Sequence, residues 1–114
     1  MDQVIRYRPI AAEVLQSVVD IRTRAKVDTR SLPIIDHEWG QYALFVDGWR
    51  RGKRHYGSIV HIEVNDKDHG RLHDDGTDFA VGQQLLDRGV ARQDLIQGWI
   101  SPTRRVLSGL PVGE

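Results

Sequence analysis

Two blocks of alternating apolar and polar residues, separated by a short basic segment, constrain the fold of this chain most strongly. The first block, "YALFVDGW", begins at Tyr42, and the second, "HYGSIVHIEV", begins at His55. Successive side chains on a β-strand point to opposite faces, so a period of two predicts a strand with one buried face. The segment "RRGKR" between the blocks contains Gly52, which favours a tight turn. The sequence therefore predicts an antiparallel hairpin.

The alternation also predicts which side chains of the second strand share a face. One face is expected to hold Tyr56, Ser58, Val60, Ile62 and Val64. A second turn, "NDKDHG", follows, and residues 71–74 can return as a short third strand. Together these segments predict a three-stranded antiparallel meander.

Helical periodicity flanks the meander on both sides. Apolar residues recur every three or four positions at Ile10, Val14, Val18 and Ile21. This spacing predicts a helix that begins at Pro9, with residues 4–8 forming either a kinked first turn or extended chain. A short strand at Leu32–Ile35 is a further possibility. After the meander, a second apolar stripe predicts a helix from Thr77 to Gly89.

The C-terminal part of the chain predicts two more elements. The segment "DLIQGWI" alternates like an edge strand, and Ser101 and Pro102 have the residue types of an N-cap and a first helical residue. Gly109 is placed to end this short helix. The expected fold class is therefore α+β, with an antiparallel sheet (a meander plus an additional strand) packed against an N-terminal helix and a second helix.

Length and charge restrict the function classes. One domain is expected to span residues 1–114, because typical domains hold about 100 to 150 residues. The 16 basic and 16 acidic residues cancel, so no whole-molecule field attracts nucleic acid or an anionic membrane. There is no cysteine, which excludes disulfides and thiolate ligands. No apolar run approaches a membrane span, so we expect a cytoplasmic protein without membrane contact.

An acidic cluster in "HDDGTDFAVGQQ", residues 73–84, fits either a helix start or a chemical site. Asp75 or Thr77 can cap the first turn of the second helix, and Asp78 then lies near its positive end. Gly76 supplies the turn. This interpretation accounts for every residue of "DDGTD" without a metal ion. We therefore predict that the cluster caps the helix and that the protein has no metal and no cofactor.

Two chemical sites are the weaker alternatives. His69, His73 and Asp74 could converge on a metal ion, although their spacing matches neither an EF-hand loop nor a zinc-binding helix. His61 and Glu63 lie two apart on one strand and could form an acid–base pair, but a hydrogen-bonded histidine on a half-buried surface is commoner. Nucleotide-binding glycine loops and serine-nucleophile motifs are absent. We expect that the protein is not an enzyme and has no catalytic residues.

Positive charge is concentrated at the hairpin turn, beside aromatic residues. Such a mixture is typical of surfaces that hold a nucleic-acid backbone, and a solvated turn is the alternative. Arg104 and Arg105 form a smaller basic group near the C-terminus. The candidate residues for binding a partner or nucleic acid are Trp49, Arg50, Arg51, Lys53, Arg54, Trp99, Arg104 and Arg105.

The order of four segments resembles the XisI-like family, the fdxN element excision controlling factors, which are small proteins found mainly in cyanobacteria. These segments are "YALFVDGW", "GKRHYGSIVHIEV", "DDGTDFAVGQQLLDRGVARQDLIQGW" and "SPTRR". The likeness runs from Tyr42 to Leu110 and is weaker over the N-terminal helix. The chain departs from the family pattern at Arg71, Ala91 and Ile100, where an aromatic residue, a proline and a histidine are usual.

The resemblance implies a small α+β domain with an accessory role. XisI-like proteins act with a partner, XisH, so that a site-specific recombinase can excise a DNA element. No catalytic residue is established for the family, so the resemblance implies none here. The resemblance thus favours a non-catalytic controlling factor in complex with an XisH-like protein. Contact with DNA, either indirect or through the basic hairpin, and a homo-oligomeric state are left open.

Two alternatives to this function use similar surfaces. The protein could restrain a nuclease-fold XisH-like partner, as an antitoxin or regulatory subunit does. It could also bind nucleic acid directly through "RRGKR", in which case affinity should fall steeply as salt rises.

Overall fold

A long N-terminal helix lies across one face of a five-stranded sheet. The computed structural model describes residues 3–67, 69–76 and 79–111, and the backbone alone for residues 3–5. The elements are α1 (Gln3–Ala25), β1 (Arg30–Asp36), β2 (Gln41–Arg50), β3 (Lys53–Val64), β4 (Gly70–Asp75), α2 (Val81–Asp87), a 3-10 turn (Arg92–Asp94), β5 (Leu95–Gln97) and α3 (Pro102–Leu107). This arrangement confirms the predicted α+β class.

The strands lie in the sheet in their chain order, β1 to β5. The first four form an antiparallel meander, which the sequence predicted for β2 to β4 and allowed for β1. The last strand corrects the expectation of a purely antiparallel sheet, because β5 pairs with β4 in parallel, with Gly70 opposite Leu95. A parallel neighbour needs a crossover connection, and α2 with the 3-10 turn provides it.

The core lies between α1, α2 and the inner face of the sheet. α1 contributes a buried stripe in which the predicted Val14 and Val18 are fully buried, whereas the predicted Ile10 and Ile21 are only half-buried. The sheet contributes alternate residues of β2 and of β3 from Val60 onward. The buried apolar side chains include Ala11, Val14, Leu15, Val18, Tyr42, Leu44, Val60, Ile62, Leu72, Val81 and Leu85. Burying a side chain of this size stabilises the fold by about 1.5 to 3 kcal/mol.

A β-bulge in β3 overturns the predicted faces of that strand. Leu44 of β2 lies opposite Val60, but the next residue, Phe45, lies opposite Ser58, so Ile59 is inserted between them. An extra residue reverses the alternation. Val60 therefore points into the core, while Tyr56 and Ser58 lie on the outer face with Phe45. The prediction that Tyr56 to Val64 share a face is wrong at this point.

The first helix starts earlier than predicted and contains Pro9. Proline cannot donate a backbone hydrogen bond to the carbonyl four residues earlier, so a helix is expected to end there. Tertiary contacts outweigh this cost. The Tyr7 ring is buried, and its hydroxyl donates to Asp94 Oδ2 at 2.6 Å and accepts from the Ala91 amide at 3.1 Å. The prediction that the main helix begins at Pro9 is therefore corrected to Gln3.

Arg8 ties α1 to the turn between β1 and β2. Its guanidinium donates to the carbonyls of His37 at 2.6 Å, Glu38 at 3.1 Å and Val64 at 3.2 Å. Gly40 passes directly beside this contact with a φ of 65°, and its carbonyl accepts from the Val64 amide at 2.8 Å. The turn therefore depends on a residue without a side chain.

The second helix begins four residues later than predicted, at Val81. Its N-cap is Ala80, in a left-handed conformation with a φ of 51°, and no side chain caps the first turn. Asp75 ends β4 instead of capping the helix. Thr77 and Asp78, which belonged to the same prediction, lie outside the described residues. The capping prediction is therefore wrong for Asp75.

The third helix follows its sequence signals closely. The Ser101 side chain accepts from the Arg104 amide at 3.3 Å, and Pro102 is the first helical residue. Gly109 lies just beyond the end with a φ of 70°, which its lack of a side chain permits. Among the described residues, no helix combines the length and the apolar character that crossing a membrane requires.

Candidate binding surfaces

The β2–β3 hairpin extends beyond the helices that cover the sheet. Residues 49–56 are eight consecutive exposed positions. The turn has Arg51 and Gly52 at its centre with φ values of 55° and 75°, and Arg50 pairs with Lys53 across it. Positive φ at both central residues is the type I′ geometry that suits the twist of two strands. The predicted basic turn is thus a two-residue hairpin turn.

Two of the four cations at the tip of this hairpin form ion pairs. Arg50 Nε lies 3.2 Å from Asp28 on the helical side of the sheet. Arg54 Nε lies 3.2 Å from Asp47 on the outer face, and Arg30 of β1 contacts the same carboxylate at 3.1 Å. The hydrogen bond from Arg30, aided by that from Arg54, lowers the pKa of Asp47. These pairs fix the stems of the two arginines.

The other two cations are free. Within the described part of the chain, neither the Arg51 nor the Lys53 side chain has a hydrogen-bond or ion-pair partner. Both side chains therefore remain available to an anion from outside the chain.

Three aromatic residues lie on the outer face behind the turn. The alternation of β2 and β3 places Phe45, Trp49 and Tyr56 on this side together with Arg54. The rings of Phe45 and Tyr56 have centroids 6.0 Å apart, and the Arg54 guanidinium lies 4.6 Å from the centre of the Tyr56 ring. Trp49 and Tyr56 are 68% and 59% exposed. Exposed aromatic side chains that share one face of a sheet are candidates for binding a ligand.

A histidine cluster occupies the other end of the outer face. His73 Nε2 donates to Glu63 Oε1 at 2.8 Å, and His61 Nε2 donates to Gln41 Oε1 at 2.8 Å. The two imidazole rings lie 4.7 Å apart. Burial is the main cause that lowers the pKa of His61, and the neighbouring His73 lowers this pKa further. The hydrogen bond from His73 lowers the pKa of Glu63.

This cluster changes the pairing that the sequence suggested. Glu63 binds His73 and not His61, because a second bulge shifts β4 so that Asp74 lies opposite His61. Across residues 3–67, 69–76 and 79–111, no three histidine or acidic side chains are arranged to hold a metal ion. The cluster is a hydrogen-bonded network on a half-buried surface.

The C-terminal segment presents a second apolar surface. Trp99, Val106 and Leu107 are 55%, 62% and 81% exposed; we name these three residues of the C-terminal segment the C-terminal patch. Trp99 also borders a cavity of about 270 Å³ that reaches the core residues Leu72 and Leu95. The patch therefore adjoins a recess between the sheet and α2.

The two C-terminal arginines have different environments. Arg104 is exposed on α3. Arg105 is only 4% exposed, and its Nε donates to the Ile100 carbonyl at 2.8 Å. Arg105 therefore holds α3 against the preceding loop, and its burial leaves it little surface for a partner.

Comparison with known proteins identifies the family. The model of the XisI protein family matches residues 1–112. The chain belongs to the XisI family. No curated protein matches the chain.

Two solved XisI structures from Anabaena variabilis ATCC 29413 share the fold. The fdxN element excision controlling factor XisI is 23% identical, with a TM-score of 0.81 over 98% of this chain and 100% of that one. A XisI-like protein is also 23% identical, with a TM-score of 0.84 over 96% of this chain and 99% of that one. These comparisons confirm the family resemblance and the fold class.

Sequence reasoning missed several surface residues of this XisI-family protein. The bulge in β3 brings Phe45 beside Tyr56, and no pattern in the sequence marks the inserted residue. The His73–Glu63 contact joins different strands and depends on their register. The exposure of Val106 and Leu107 was detectable in principle, because the helix that carries them is only six residues long.

Proposed function

We propose that this XisI-family protein is a non-catalytic accessory factor that controls excision of a DNA element through a complex with an XisH-like protein. Membership of the XisI family supports the excision role, since a solved relative is an fdxN element excision controlling factor. The site of action that we propose is the cytoplasm. The companion protein is part of the proposal because an accessory factor must transmit its effect by contact.

The observation that carries this proposal is the C-terminal patch. Leu107 on α3 has most of its surface in water, and Val106 and Trp99 of the same C-terminal segment are also exposed. Covering one such side chain in an interface contributes about 1.5 to 3 kcal/mol, so three of them supply a substantial part of a binding energy. Exposed Arg104 adds positive charge beside the patch, which favours a partner with an acidic rim.

The contacts that hold α3 in place also favour its use as a binding surface. The helix is held at its start by the Ser101 cap and by the hydrogen bond from buried Arg105 to Ile100. A partner therefore meets a surface that is already ordered, which reduces the entropy lost on binding.

Co-purification with an XisH-like protein from the same genome tests the proposal. We expect a stable complex with the native chain and at least a tenfold loss of affinity for Val106→Asp/Leu107→Asp, because two charges would be buried in the interface. Val27→Asp is the matched control, since Val27 is an exposed apolar residue outside the patch. Failure of the native proteins to associate would refute the complex. Equal loss in the control would refute the location of the interface.

The absence of catalysis has its own test. If the histidine cluster takes no part in chemistry, His73→Gln should leave excision of the element unchanged in cells that supply the recombinase and the partner. A complete loss of excision by this folded variant, with complex formation intact, would contradict a non-catalytic role.

A further inference from the structure

The charge of this protein is distributed very unevenly. Residues 49–56 contain four basic residues and no acidic residue. Since the whole chain has a net charge of zero, the remaining residues carry a net charge of −4. Asp28 and Asp47 pair with two of these four cations, so the uncompensated positive charge of the tip lies at Arg51 and Lys53.

The aromatic residues at the hairpin tip face the solvent from one side. Trp49 pairs with Arg54, and Tyr56 is two residues further along β3, so both rings lie on the outer face. Diagonal neighbours on adjacent antiparallel strands, as these two residues are, are separated by about 7 to 8 Å. The guanidinium of Arg54 lies over the Tyr56 ring and is itself held by Asp47, which fixes the orientation of this ring. Trp49 offers a second flat surface next to it.

We propose that the outer face of the hairpin tip binds single-stranded nucleic acid. Unstacked bases would lie against Trp49 and Tyr56 on the outer face. The free cation Arg51 at the turn would contact the phosphates, and so would Lys53, which lies on the opposite face at the end of the strand and meets the backbone where it passes around the tip. The spacing of the two rings suits neighbouring nucleotides of a stretched strand. A duplex keeps its bases stacked inside and offers these rings no base face, so single strands are the preferred ligand.

This inference goes beyond the proposed function and does not require the XisH-like protein. It uses the hairpin tip, whereas the proposed partner interface uses the C-terminal patch. An acidic protein segment would satisfy the cations equally well, but it would not use two exposed aromatic faces beside them. The two ligands therefore predict different effects of removing Trp49.

The experiment is fluorescence anisotropy of the purified chain with a labelled oligonucleotide of about 20 nucleotides at low salt. DNA and RNA single strands are compared with a duplex of the same sequence. We expect saturable binding to single strands, weaker binding to the duplex, and about a tenfold loss of single-strand affinity for Trp49→Ala. Trp39→Ala is the matched control, because Trp39 is an exposed tryptophan outside the hairpin; it should bind like the native chain.

The phosphate contacts have a separate readout. Arg51→Ala/Lys53→Ala should reduce the salt dependence of the single-strand affinity by about 1.4 in logarithmic slope, at about 0.7 per contact. Arg24→Ala/Arg92→Ala removes the same charge elsewhere on the surface and should leave this slope unchanged.

Three outcomes would overturn the proposal. They are no binding at low salt, equal affinity for duplex and single strand with no effect of Trp49→Ala, and displacement of the oligonucleotide by polyglutamate as readily as by unlabelled DNA. The last outcome would indicate an acidic protein as the ligand. Thermal unfolding of each variant separates loss of binding from loss of fold, and none of these outcomes bears on co-purification with the XisH-like protein.

Discussion

Replacing Gly40 with alanine should destabilise the protein far more than the same change at Gly52. Both glycines have left-handed backbones, with φ of 65° and 75°, so each substitution costs about 1 to 2 kcal/mol in backbone strain. At Gly52 a Cβ would meet no atom within 4 Å. At Gly40 it would lie 2.1 Å from the Val64 carbonyl oxygen. Gly52 is therefore a matched control that isolates the steric overlap.

The overlap at Gly40 can be estimated from the contacts around it. A nonbonded carbon and oxygen stay about 3.3 Å apart, so the chain must move by about 1 Å. Such overpacking costs about 1 to 3 kcal/mol. The shift also disturbs the Val64 amide bond to Gly40 and the Arg8 bond to Val64, each worth about 1 kcal/mol. Together with the backbone strain, the expected total is about 4 to 7 kcal/mol, against typical stabilities of about 5 to 15 kcal/mol.

Thermal and urea unfolding followed by circular dichroism measure the difference. In a chain of this size 1 kcal/mol corresponds to about 4 °C, so Gly52→Ala should lower Tm by about 4 to 8 °C and Gly40→Ala by about 16 °C or more. Equal shifts in the two variants would show that the turn relaxes freely and would refute the reasoning.

Three further changes probe other contacts. Tyr7→Phe removes the hydrogen bond to the partly buried Asp94 and should lower the free energy of unfolding, measured in urea, by about 1 to 3 kcal/mol. An unchanged free energy of unfolding would contradict this. Burial and His73 lower the pKa of His61, so the folded state binds this proton more weakly than the unfolded state, and stability should fall as pH drops below the ordinary value of 6.5. His61→Gln should flatten this pH dependence in urea titrations, and an unchanged profile would argue against it. Ser101→Ala should destabilise α3 by about 1 kcal/mol, measured as faster amide exchange in that helix alone.

Local signals in the sequence predicted most of the fold. The alternation of β2 and β3, the stripe of α1 and the Ser101–Pro102 start of α3 each depend on neighbouring residues, so a single sequence reveals them. The α+β class followed from their order. The basic hairpin was predicted for the same reason, since a charged turn between two strands is a local pattern.

Features that depend on contacts between distant residues were not predictable in this way. The helix continues through Pro9 because Tyr7 and Arg8 make contacts 29 to 87 residues away that offset the lost backbone bond. The bulge at Ile59 depends on the register between β2 and β3. The residue types of the acidic cluster resembled a helix cap, but Ala80 adopts a left-handed conformation and α2 starts after it.

The bulge in β3 divides one strand between two tasks. From Val60 to Val64, every second side chain is buried in the core, so a substitution there changes the stability of the fold. On the other side of Ile59, the same strand lies in water, and a substitution at Tyr56 or Lys53 leaves the interior untouched. The exposed residues of the hairpin end can therefore be substituted with little loss in the free energy of unfolding. An engineer could exchange residues 49–56 as a cassette while the scaffold below the bulge stays the same.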